Sequence, residues 1–138
     1  MAGPYRGGCA CGAARYEFAA EPMAMNDCQC RQCQKDSGTG RGSFLTFVGA
    51  KPEISGEIRS FAVTGDGGTV KSRAFCPVCG TQLYVAFPAM PDVFAVRAGT
   101  LDDPALYTPQ FVIWTAAGQS WDYLDAGLPR FEGMPPQL

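Results

Sequence analysis

Apolar and polar residues take turns along this chain in short runs, the pattern of half-buried strands. Residues 14–18, ARYEF, form one such run behind a glycine-bounded cysteine loop, and residues 43–48, SFLTFV, form a second with aromatic and β-branched side chains. Residues 57–63, EIRSFAV, alternate in the middle, with Ile58, Phe61 and Val63 as the apolar members. The GDGG at 65–68 then predicts a turn, and residues 69–75, TVKSRAF, alternate again until they reach the last cysteine pair. QLYVAF, VFAVRAG and QFVIWT are three more predicted strands, separated at PAMPD and LDDPALYTP. Helix is sparse. CRQCQKDSG predicts one turn after Cys30 that stops at Gly38, and GQSWDYLDAGLP predicts another, with Ser120 as N-cap and Gly127 as stop. Seventeen glycines and eleven prolines interrupt the chain too often for long helices. The fold class is therefore mainly β, built from several small twisted sheets. With no internal repeat and no low-complexity linker, residues 1–138 read as a single domain.

Charge narrows the partners. The net charge is −2 and no basic block stands out, so the chain lacks the electrostatic footprint of a nucleic-acid binder. The first residues carry no apolar run long enough for a signal peptide, and no other stretch is long enough to span a bilayer. The cytoplasm is the expected compartment, where clustered cysteines more often bind metal or do chemistry than form disulfides. Histidine is absent, which removes imidazole both as a metal ligand and as a general base.

The seven cysteines fall into groups: Cys9 and Cys11, then Cys28, Cys30 and Cys33, then Cys76 and Cys79. FCPVCG is the C-x-x-C-G turn of a zinc knuckle, in which two thiolates converge and glycine permits the turn that follows. It needs a second pair, and GCACG is the natural partner. Cys9, Cys11, Cys76 and Cys79 then make a closed tetrahedral zinc site, with Zn–S of about 2.3 Å, that staples the amino terminus to the second half of the chain. Disulfides, or cysteines acting as small buried hydrophobes, are the alternatives; an odd count leaves one sulfur over, and hydrophobes have no reason to cluster at these spacings. Cys28, Cys30 and Cys33 remain. Three ligands with one position open describe a catalytic zinc, and an electron-rich site of this kind suits sulfur-centred chemistry, because a coordinated thiol is held as thiolate. The alternatives are a second structural site closed by Asp27 or Asp36, or an iron–sulfur cluster, whose common spacings differ from this one.

The order GGCACGAARYEF, CQCRQCQKDSG, RAFCPVCGTQLY, VRAGTLDDP, WDYLDAGLPRFEG resembles the glutathione-dependent formaldehyde-activating family, whose domain is shared with centromere protein V; the likeness runs from Gly7 to about Phe131. The resemblance implies a β-tent-like fold of small antiparallel sheets. It implies a structural zinc on Cys9, Cys11, Cys76 and Cys79 and a second zinc on Cys28, Cys30 and Cys33. It also implies addition of a thiol, glutathione or similar, to a small aldehyde such as formaldehyde, which in reverse is a carbon–sulfur lyase reaction. Members of the family often carry histidine inside the C-x-C pairs, where this chain has Ala10 and Gln29.

Without histidine, the proton for the hemithioacetal oxygen is expected from Lys35 or Ser37, which follow the second cysteine loop, or from Tyr84 or water. Arg31, Arg41 and Arg73 are expected to meet the carboxylates of a glutathione-like thiol, since guanidinium forks suit them. Trp114, Trp121 and Phe131 are expected to wall the site. Two further readings stand beside the enzyme: a zinc-stabilised binding module without catalysis, and a redox or metal-buffering role for the trio. Exposed strand edges would allow a homodimer.

Overall fold

The computed structural model describes residues 4–65 and 67–136. Asp66, the second residue of the predicted GDGG turn, and residues 1–3, on which part of the leader-peptide reading rests, lie outside the described residues. The chain runs β1 (Tyr5–Gly8), β2 (Arg15–Phe18), β3 (Ala24–Cys28), α1 (Arg31–Ser37), β4 (Gly42–Val48), β5 (Glu53–Ser55), β6 (Arg59–Thr64), β7 (Val70–Phe75), β8 (Gln82–Phe87), β9 (Met90–Arg97) and β10 (Phe111–Ile113), with short 3-10 turns at Ala98–Thr100, Pro104–Leu106 and Thr115–Ala117. The mainly β expectation holds. A three-stranded sheet has the order β1-β2-β5, and a seven-stranded sheet the order β10-β3-β4-β9-β8-β7-β6. All ladders are antiparallel except β10 on β3, which is parallel. No helix among the described residues is long and apolar enough to cross a membrane.

Pairing register decides which residues share a face, because residues directly opposite one another point to the same side of a sheet. Met25 pairs with Leu45, Leu45 with Val96, Phe47 with Phe94 and Tyr84 with Val96. This side of the large sheet packs on the small one, where Tyr5, Tyr16 and Phe18 meet Leu45, Phe47 and Val96 in the main core. Phe18 stacks on Phe47 at 4.3 Å, and Tyr5 meets the same ring edge-on at 5.6 Å. The opposite side carries Cys28, Phe44, Val85 and Ile113, covered by Cys33 from α1 and by Trp114 and Phe131 from the carboxyl-terminal segment. The fold thus has a back face that supplies stability and a front face that carries one cysteine group.

Some elements differ from their sequence patterns. The helix expected at GQSWDYLDAGLP does not form. The Asp122 side chain is drawn inward to Gln29, and the Asp125 carboxylate accepts from the Gly127 backbone N–H at 2.9 Å; this local side-chain bond competes with helix. The run 57–63 starts instead at Arg59, since Gly56, at φ +86°, bends the chain between β5 and β6, and a Cβ there would stand 1.9 Å from the Ala13 carbonyl oxygen. β9 begins at Met90, inside the PAMPD break, because Pro88 and Ala89 alone make the turn from β8. β1, β3 and β5 carry no recognisable pattern of their own. β3 reads AMNDC: its polar residues Asn26 and Asp27 are both buried, and Asp27 is held by Arg41, Ser43 and Tyr107.

Candidate metal centres

Four sulfurs meet where the small sheet approaches the end of β7. Cys9 and Cys11 stand on the turn between β1 and β2, which closes through Gly12 N–H to Cys9 C=O at 3.1 Å with Gly12 at φ +82°. Cys76 and Cys79 stand on the turn after β7, which closes through Gly80 N–H to Cys76 C=O at 2.8 Å with Gly80 at φ +78°. No neighbouring atom lies within 4 Å of a Cβ built at either glycine, so the backbone angle alone demands glycine there. The Thr81 hydroxyl ties the two turns together, accepting from Ala10 N–H at 3.1 Å and lying 3.2 Å from Cys79 Sγ. The four Sγ atoms all lie within 4.8 Å of one another, with Cys9–Cys11 at 3.5 Å and Cys11–Cys76 at 3.8 Å. A tetrahedral ion with Zn–S of about 2.3 Å requires sulfurs about 3.8 Å apart, so the quartet is already at the spacing of a metal cage. Ala14 N–H donates to Cys9 Sγ and lowers its pKa, while Thr81 holds the Cys79 thiol down to about 5. Both effects favour the thiolates that a metal needs. All seven cysteines are free.

The trio is built differently. β3 ends at Cys28; Cys30, in extended conformation, caps α1; Cys33 sits in the helix's first turn, where its backbone N–H donates to Cys30 Sγ at 3.3 Å. The helix ends where the sequence predicts, at Gly38 in the left-handed region. The three sulfurs also lie within 4.8 Å of one another, and among the described residues no carboxylate joins them. Hydrogen bonds from Cys28 and Cys33 pull the Cys30 thiol far down, while the bond to Cys30 pushes Cys28 far up. One of three crowded sulfurs, the one at the helix cap, therefore takes the charge first.

Neither aspartate weighed as a fourth ligand is available. Asp27 Oδ1 accepts from Ser43 at 2.7 Å and Tyr107 at 2.6 Å, and its Oδ2 accepts from Arg41 at 3.0 Å. Asp36 is held by Arg73 at 3.0 Å and Arg97 at 3.4 Å.

The other predicted site residues divide. Trp114 and Phe131 pack on the trio, together with Phe87 and Phe111, whereas Trp121 is exposed. Trp114 is the one non-glycine among the described residues with positive φ, at +58°; Gly133 C=O accepts from its N–H at 3.2 Å and fixes that conformation. Lys35 and Ser37 are exposed, and Ser37 Oγ accepts from Thr39 N–H at 3.2 Å. Tyr84 packs toward the main core on the opposite side of the sheet. Arg31 is exposed and contacts Gln34. Arg41 bridges Asp27 and Asp122, the latter at 3.3 Å. Arg73 is 5% exposed and held by Asp36.

Gln29, between the first two cysteines of the trio, is a latch. It is 2% exposed, its Nε2 donates to Asp122 Oδ2 at 2.9 Å, and its C=O accepts from Gln34 Nε2 at 2.8 Å. Beside it opens a cleft of about 510 Å³ lined by Thr115, Gly118, Gln119, Asp122 and Arg130. A second hollow, about 380 Å³, lies over the small sheet between Arg15 and Glu53, away from the trio. The sequence reading missed Arg97, Lys71 and Asp122. Arg97 sits in the VRAG of a predicted strand, and only the pairing of β9 with β4 brings it to the trio's face.

A mainly β domain with a closed thiolate quartet on one side and an incomplete thiolate set on the other defines a small protein with two sites able to hold metal. The chain belongs to the glutathione-dependent formaldehyde-activating enzyme family, whose profile matches residues 4–117. A Halomonas elongata protein that carries the family's name is 29% identical over 119 residues, 77% of this chain and 71% of that protein. A Rhodobacter sphaeroides protein of known crystal structure superposes with a TM-score of 0.54 at 17% identity, covering 91% of this chain and 98% of that one, a likeness of fold alone.

Proposed function

We propose that this protein is a zinc-dependent carbon–sulfur lyase that adds glutathione or a similar thiol to a small aldehyde such as formaldehyde, and catalyses the reverse. The observation that carries the reading is the trio: three sulfurs within 4.8 Å of one another with no carboxylate in range among the described residues. Cys9, Cys11, Cys76 and Cys79 hold a structural zinc, and Cys28, Cys30 and Cys33 hold a second. When bound there, the second ion supplies an open position that keeps an incoming thiol deprotonated at neutral pH. The sulfur attacks the carbonyl carbon; the S–C bond forms as the C=O π bond opens, and the oxygen takes up a proton from solvent, to which the thiol's own proton was lost on deprotonation.

The chain's own residues do the rest. Trp114, Phe131 and Phe87 exclude water from the sulfur face, which favours the hemithioacetal's formation over competing hydration. The thiol's peptide body lies in the cleft beside Gln29, whose volume suits a tripeptide. Arg31, exposed and bonded to Gln34, which in turn bonds the cleft residue Gln119, meets a substrate carboxylate, while Arg41 and Arg73 act through the internal carboxylates they hold. The proton comes from solvent at the half-exposed Cys30 rim, since Lys35 and Ser37 face outward and Tyr84 lies on the far side of the sheet. The reaction fits a cytoplasmic compartment, where reduced thiol is abundant. The test is a titration of cobalt-substituted protein with glutathione, followed by sulfur-to-cobalt absorption. A new band saturating at millimolar thiol is expected; an unchanged spectrum would refute the open position.

A further inference from the structure

The front face carries more positive charge than its own carboxylate balances. Arg97 pairs with Phe44 on β4, and Phe44 pairs with Asn26, two residues before Cys28 on the same side of β3. Arg73 pairs with Val85, which packs with Cys28 and Cys33, and Lys71 stands two residues earlier on the same side of β7. The Arg97 guanidinium lies 4.8 Å from the centre of the Phe44 ring and donates to Gln82 at 3.1 Å. Arg73 and Arg97 share one acid, Asp36, and the three side chains are 6%, 11% and 10% exposed. Both arginine Nε atoms are buried without a partner. Two buried guanidiniums on one carboxylate leave an uncompensated cation, which is expensive away from water. The groups on this face that can answer it are the cysteine sulfurs. Asp36, which both arginines hold, stands one helical turn after Cys33 on α1, and the Phe44 ring under Arg97 packs with Cys28 and Cys33, so the guanidiniums share the sulfurs' side of the sheet.

We propose that Arg97, Arg73 and Lys71 form a cationic second layer that makes the vacant position on Cys28, Cys30 and Cys33 selective for an anionic sulfur ligand over a neutral one. This deepens the reading above and rests on it. A divalent ion on three thiolates carries a single negative charge, and a fourth thiolate doubles it. The three basic side chains, less Asp36, offset both. These are positioning residues: they touch neither the aldehyde nor the reacting sulfur, and they set which fourth ligand is stable.

The experiment titrates cobalt-loaded protein with 2-mercaptoethanol, a thiol with no carboxylate, and with imidazole, a neutral ligand, following the visible spectrum. Arg97→Gln is expected to weaken 2-mercaptoethanol binding by about tenfold to a hundredfold while imidazole changes by less than about twofold, as a Coulomb energy at an effective dielectric constant of about 20 requires; Arg97→Lys recovers most of the loss. If the native protein binds neither ligand, the open position itself is wrong. If it binds both and Arg97→Gln binds 2-mercaptoethanol as well as the native protein does, the second layer is wrong and the open position stands. A loss seen with glutathione but not with 2-mercaptoethanol would make Arg97 a carboxylate dock and overturn the proposal. Should Arg97→Gln fail to fold, Lys71→Gln, on a half-buried side chain, gives the same comparison with a loss of about tenfold expected.

Discussion

Single residues separate the two cysteine groups. Cys76 is fully buried and joins chain segments far apart in sequence, whereas Cys28 belongs to a ligand set confined to one loop. Cys28→Ser should therefore lose one metal equivalent and keep its far-ultraviolet spectrum, while Cys76→Ser should lose the cooperative unfolding transition, since metal energy of about 10–16 kcal/mol can decide whether a small fold exists. Metal analysis beside thermal melts checks both, and equal unfolding by the two variants would favour a binding module over an enzyme. Asp27 makes a comparable case without metal. Asp27→Ala leaves Ser43 and Tyr107 without their buried acceptor, while Arg41 keeps Asp122, and should cost about 1–3 kcal/mol in a denaturant titration. Both cysteine sets were legible in the sequence because ligand spacing is local. Arg97, Lys71 and Asp122 were not, and Asp27 was read as a metal ligand rather than an ion-pair partner, because what they face arrives from segments distant in the chain.

At the scale of elements, the legible ones carry their own signal. α1 was readable from its stop at Gly38, though as one turn where the helix has seven residues, and Gly38→Ala should destabilise it by about 1 kcal/mol through the left-handed backbone at that position, as a shift in the thermal midpoint would report. β4 and β7 were readable from composition and alternation. β3 was not: it is buried on both faces, polar Asn26 and Asp27 included, so no alternation survives. The segment after the 3-10 turn at Thr115–Ala117 misled in the opposite direction. Its Ser120 and Gly127 mimic helix punctuation, while Asp122 and Asp125 commit their side chains to Gln29, Arg41 and the local backbone. Gln29→Ala should loosen this segment and cost about 1–2 kcal/mol, with hydrogen exchange at Gln34 and Gly118 rising before any global unfolding.

The whole molecule responds to pH through its buried phenols. Burial pushes Tyr5 and Tyr16 up to about 12, and burial with the Asp27 hydrogen bond pushes Tyr107 higher still. An unfolded tyrosine loses its proton near pH ~10. Above that the unfolded chain binds fewer protons than the folded one, so these phenols' contribution is complete below pH ~10 and is lost as pH rises through about 12. Phenolate absorbance from these rings should accordingly appear together with loss of tertiary structure rather than before it. Metal withdrawal tests the same scale from another side. A gentle chelator should remove one equivalent with the fold retained, because the trio offers three ligands and the quartet four; simultaneous loss of both with unfolding would contradict that ranking. The parallel pairing of β10 with β3 has its own consequence for biosynthesis. The front thiol loop is complete once Cys33 has left the ribosome, but its cover, Trp114 and Phe131, follows much later in the chain. The nascent chain thus carries three naked thiols throughout that interval, open to oxidants and to whichever thiophilic cation reaches them first.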